Sequence, residues 1–140
     1  MAAVDTAVTA LSGAMAIGPK VQTVQREIDF SVTNLAAADW FQVFQGEAGD
    51  ICLGGAVEIL VAGTATATFT IGMASGEELL GSTALDAAAG TITPFANTAG
   101  IAIGDGATAD TIDVEMEVAA AVLGKIRITA VLLKAGDFAG

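Results

Sequence analysis

At 140 residues the chain is long enough for one domain with a core of its own, needing neither a disulfide nor a metal to hold it. Its 16 acidic and five basic side chains leave a formal net charge of −11, which argues against a nucleic-acid partner, because neutralising phosphates takes clustered Lys and Arg. Only 15% of the residues are charged and 54% are apolar, a shortage of charge expected of a subunit that hides much of its outside against neighbours.

The opening MAAVDTAVTALSGAMAIGP has no basic start and carries Asp5, so it does not read as a secretory leader. Thr6, Thr9 and Gly13 weaken any helix there. It reads as an N-terminal arm, 1–19, that orders only against another surface, with Val8, Leu11, Met15 and Ile17 as its candidate contacts and a sandwich domain at 20–140. From there the dominant period is two. In VQTVQREIDFSVT, Val24, Ile28, Phe30 and Val32 fall on one face and Thr23, Gln25, Glu27, Asp29, Ser31 and Thr33 on the other, with Arg26 interrupting the apolar row. DWFQVFQ, and AVEILVA with its single Glu58, predict strands buried on both sides, with Trp40, Phe41 and Phe44 packed between sheets. TATATFTIGM predicts Thr64, Thr66, Thr68 and Thr70 outside and Ala65, Ala67, Phe69, Ile71 and Met73 inside.

The stretch Ala87 to Gly104 is among the longest without charge, but Pro94, Asn97 and its glycines and threonines do not suit a spanning helix, and no membrane partner is expected. DTIDVEMEV places Ile112, Val114, Met116 and Val118 inside and Thr111, Asp113, Glu115 and Glu117 outside. KIRITAVLLK places Ile126, Ile128, Ala130 and Leu132 inside, opposite Lys125, Arg127 and Thr129. Val131 and Leu133 then fall on the nominally wet face. Apolar residues exposed on a strand promote aggregation unless covered, so these two are the candidate subunit interface of a homo-oligomer. With glycine turns between the runs, the expectation is all-β, six to eight short strands in an antiparallel sandwich or closed barrel.

Chemistry is sparse. There is no His and no Tyr, so acid–base work would fall to carboxylates, one Cys or a Lys. Asp113, Glu115 and Glu117 alternate along one face and read as a water-facing stripe, not as two carboxyls opposed across a cleft. GDGATADTID offers Asp105, Asp110 and Asp113, but their spacing sends the last two to opposite faces of a strand, and no metal is expected. Nor does GEAGDICLGG carry the Lys-Ser/Thr pair of a phosphate cradle. Ser75 to Glu78 read as a turn, and Cys52, between Ile51 and Leu53, as a buried small hydrophobe. A protein without enzymatic activity or cofactor is expected.

The runs FSVTNLAAADWFQVF, GDICLGGAVEILVAGTATATFTIG, LLGSTALDAAAGT and ADTIDVEMEV followed by GKIRITAVLLK, in that order over roughly residues 22 to 134, resemble small decoration (cement) proteins of tailed-bacteriophage capsids. The resemblance implies a jelly-roll-like antiparallel β-sandwich that trimerises and sits as a virion structural protein on the outside of an icosahedral shell. It also implies the major capsid protein as partner and manufacture in the host bacterial cytoplasm; Val8, Leu11, Met15 and Ile17, apolar side chains with no place in the strand pattern, are on that reading the candidate capsid contact. It carries no catalytic motif and no counterpart for residues 1–19. Jelly rolls also serve as lectins and cupins, so two other readings stay open. One is another virion component, such as a tail or fibre-base protein. The other is a carbohydrate-binding module, against which one Trp, no Tyr and few amides weigh.

Overall fold

The computed structural model describes residues 20–47, 49–73, 79–96, 100–103 and 110–134. Among them are nine strands and no helix: β1 (Lys20–Asp29), β2 (Trp40–Gly46), β3 (Ile51–Val61), β4 (Thr68–Gly72), β5 (Leu80–Ala84), β6 (Ile92–Pro94), β7 (Ile101–Ala102), β8 (Asp110–Val118) and β9 (Lys125–Lys134). The first sheet runs β1-β9-β3-β6, with β7 also paired to β3, and the second runs β2-β8-β4-β5. With the two-residue β7 set aside, the antiparallel pairs β1:β9, β2:β8, β3:β6 and β4:β5 nest inside one another like the rungs of one long hairpin. The strip then wraps so that β9 also meets β3 and β8 also meets β4. This is the wiring of an eight-stranded jelly roll.

The inner faces supply the core. Ile28, Val57, Ile59, Ile126, Ile128, Ala130 and Leu132 of the first sheet face Phe69, Ile71, Ile112, Val114 and Met116 of the second, and Phe30, Leu79, Leu85, Phe95 and Ile103 plug the ends and flanks. Cys52 is fully buried, and that burial pushes its thiol up; its Sγ donates a weak bond to the Gly54 carbonyl at 3.6 Å.

Period two fails where the backbone stops being a regular strand. Val32, expected inside, is 81% exposed. β1 ends at Asp29, whose carboxylate accepts from the Ser31 amide and hydroxyl at 3.0 and 2.6 Å, and the turn releases Val32 to solvent. In TATATFTIGM the strand begins only at Thr68. Thr66 has φ 64°, Ala65 is exposed, and Thr64 Oγ1 accepts from the amides of Val122 and Leu123. Thr70 is buried, so the expected outward row of threonines is broken.

On β8 a bulge sets Thr68 opposite Val118 but Phe69 opposite Met116, leaving Glu117 unpaired and turning Val118 out to 57% exposure. Asp113, expected in water, is buried and accepts from Thr111 Oγ1 at 2.7 Å. Nor are β2 and β3 buried on both sides. Phe41 and Phe44 pack on the core, but Trp40 is 53% exposed, and register shifts in β3 leave Leu53 and Val61 exposed.

Arg26, the odd residue on the inner face of β1, spans the gap between the two sheets. Its guanidinium donates to the carbonyls of Gln42 and Val43 on β2, at 3.5 and 3.2 Å, and lies 4.8 Å from the Phe41 ring centroid. β1 and β2 are each an outer strand of their sheet, so this contact joins two edges that share no ladder. An inward-pointing charge there also discourages a further strand from adding.

Candidate functional site

The most organised surface is the outer face of the first sheet. Register sets five rows across β1, β9 and β3: Asp29–Lys125–Val61, Glu27–Arg127–Glu58, Gln25–Thr129–Ala56, Thr23–Val131–Gly54 and Val21–Leu133–Ile51. The face is ionic at one end and apolar at the other. At the ionic end Arg127 bonds Glu27 at 3.1 Å and Glu58 at 3.4 Å, while Lys125 reaches Glu27 at 3.3 Å. Hydrogen bonds from Arg127, then from Lys125, hold the Glu27 carboxyl below its ordinary value; the Ser31 hydroxyl and amide do the same for Asp29. These pairs are well exposed, so each stabilises little, but together they clip three strands. Gln25 Nε2 donates to Thr129 Oγ1 at 3.1 Å in the next row.

At the other end the structure places Val131 and Leu133 on the outer face, each half-buried beside its neighbours. Val21, 63% exposed, and Ile51 flank Leu133. Leu53, the extra residue of a bulge, adds an exposed leucine; a Cβ on Gly100 would touch both Ile51 and Leu53, which fixes them side by side. Beneath this patch Lys134 Nζ donates to the carboxylate of the fully buried Asp50, which also accepts from the Glu47 amide at 2.8 Å. A buried carboxylate needs such partners, and the pair pins the end of β9 to the start of β3. Val21 was legible in the period of β1, whereas Ile51 and Leu53 join the patch only through the bulge.

Val8, Leu11, Met15, Ile17 and Asp105 lie outside the described residues, as do Ser75 to Glu78. Asp110 bonds the Thr111 amide at 2.7 Å, and Asp113 is buried, so they do not converge. Among the described residues no group of three His, Cys, Asp or Glu is placed to hold a metal ion. The surface therefore offers shape, apolar area and charge, the means of association.

No protein-family model matches the chain, and no curated protein matches it. Solved structures do. The chain is similar to one in a structure described as the Cyanophage Pam1 capsid asymmetric unit, with TM-score 0.65 and 19% identity, covering 84% of this chain and 86% of that one. It is also similar to a chain in the acidic stable capsid structure of Helicobacter pylori bacteriophage KHP30, with TM-score 0.59 and 12% identity over 81% and 86% of the two chains. A third is in the capsid of Ralstonia phage GP4, with TM-score 0.60 and 10% identity over 83% and 85%. At such identities the likeness is one of fold.

Proposed function

We propose that this chain is a virion structural protein that decorates the outside of an icosahedral phage capsid, binding the major capsid protein and stabilising the assembled shell. The observation that carries the reading is that the jelly roll matches chains of three phage capsid structures over more than four-fifths of both partners. Each match is thus nearly whole chain to whole chain, which suits a small accessory subunit better than one domain of a larger shell protein. The protein acts as a homo-oligomer, and the resemblance of its sequence to decoration proteins makes that a trimer. Val131 and Leu133, with Val21, Ile51 and Leu53, form the subunit contact, and the arm residues Val8, Leu11, Met15 and Ile17 contact the shell. Neither catalysis nor a cofactor enters this reading.

The mechanism is linkage. A protein that binds the assembled shell and not its dispersed subunits stabilises the shell by about 2.7 kcal/mol per site at a hundredfold excess over Kd. A trimer engaging through several arms adds avidity. The test mixes the purified protein with shells lacking it, then measures co-sedimentation and the melting temperature of the shell. Binding with a raised melting temperature is expected; neither binding nor a rise overturns the reading.

A further inference from the structure

Among the described residues nine large apolar side chains are exposed, and six of them, Val32, Trp40, Val61, Val118, Val122 and Leu123, stand at one end of the sandwich. There β1, β3 and β8 finish and β2, β4 and β9 begin. This tip is built, not frayed. Phe30 donates to the Gly124 carbonyl at 2.8 Å, Leu35 and Ala121 exchange backbone bonds, and Gly63 donates to the Leu85 carbonyl at 2.9 Å. At Gly124, φ is +106° and a Cβ would come 2.5 Å from Gly63 Cα, so the two loops meet backbone to backbone. Beside this contact, toward the turn that ends β1, lies an open groove of about 410 Å³ lined by Val61, Ala62, Leu123 and Gly124 together with Asp29, Ser31 and Lys125. A preformed apolar groove of this kind takes an anchoring side chain at low ordering cost.

The charge around the tip is one-sided. Asp29, Asp39, Asp86 and Glu117 stand in these same turns and strand ends. Among the described residues the cation there is Lys125, already paired with Glu27 at 3.3 Å. A second copy meeting this end with its own would set carboxylates against carboxylates, which costs affinity. We propose that the tip seats on the shell, on a site with an apolar anchor ringed by Lys or Arg. The inference rests on the reading of the protein as a shell decorator and names the surface that does the binding.

The experiment measures co-sedimentation with shells lacking the protein, at low and high salt, alongside light scattering and a thermal melt of each variant. Leu123→Asp and Val61→Asp are each expected to weaken shell binding at least tenfold, with oligomer mass and melting temperature unchanged. Leu123→Ala, a milder change, is expected to lose several-fold, and wild-type binding to weaken as salt rises. Gln45→Asp, at an exposed position where β2 finishes at the opposite end of the sandwich, is the control and should bind as wild type. Wild-type binding retained by the tip variants overturns the inference and leaves the decoration reading standing. A tip variant that changes the oligomer mass overturns it in favour of a self-contact. Failure of the unaltered protein to bind shells overturns the decoration reading itself, and the inference with it.

Discussion

Replacing Arg26 by alanine removes a polar side-chain contact that ties the edge strand β1 of one sheet to the edge strand β2 of the other. The two bonds to the carbonyls of Gln42 and Val43 are long, at 3.5 and 3.2 Å, and the residue is exposed, so each contributes nearer the low end of the range for hydrogen bonds, about 0.5 kcal/mol. The guanidinium lies 4.8 Å from the Phe41 ring centroid, worth about 0.5–1 kcal/mol at an exposed site. The expected loss is therefore about 1–2 kcal/mol, a fall in melting temperature of about 4–8 °C for a domain of this size. Thermal unfolding of Arg26→Ala, Phe41→Leu and the double variant gives the coupling between the two side chains directly. Arg26→Ala should also aggregate more readily on heating, since an inward charge no longer guards the edge. A shift below about 1 °C, or no coupling with Phe41, would refute the view that Arg26 joins the two sheets.

Two further outcomes follow from the ion pairs of the outer face and the close approach of β3 to β9. Glu27 has its pKa held below its ordinary 4.5 by Arg127 and Lys125, so its contribution is present above that value and is lost as pH falls through the depressed one. The difference in melting temperature between wild type and Glu27→Gln should shrink as pH is lowered below 4.5; an equal difference at neutral and strongly acid pH would contradict this. Gly55→Ala places a Cβ 2.2 Å from the Thr129 carbonyl oxygen and 2.7 Å from the Phe95 ring, which only a parting of β3 from β9 relieves. It should cost at least about 1–3 kcal/mol, whereas Gly81→Ala, with nothing within 4 Å of its Cβ, should melt within about 2 °C of wild type.

Period two in the amino-acid order was enough to set the fold class, because alternation commits one face of a strand to the core wherever the strand is regular. In β9 it assigned Ile126, Ile128, Ala130 and Leu132 inward, and all four are buried. It also put Val131 and Leu133 on the opposite face, where the register with Val21, Thr23 and Ile51 finds them. The alternation carries no count of inserted residues. The extra residue at Glu117 turns Val118 outward, the one at Leu53 brings it beside Ile51, and the turn closed by Asp29 frees Val32. Tertiary structure alone decided those positions, and with them most of the apolar tip, whose members come from strand ends and turns too short to show any period. It also decided what Arg26 is for. On one strand it is a polar fault in an apolar row; its meaning appears only when β2, 16 residues on, brings two carbonyls and a ring within its reach.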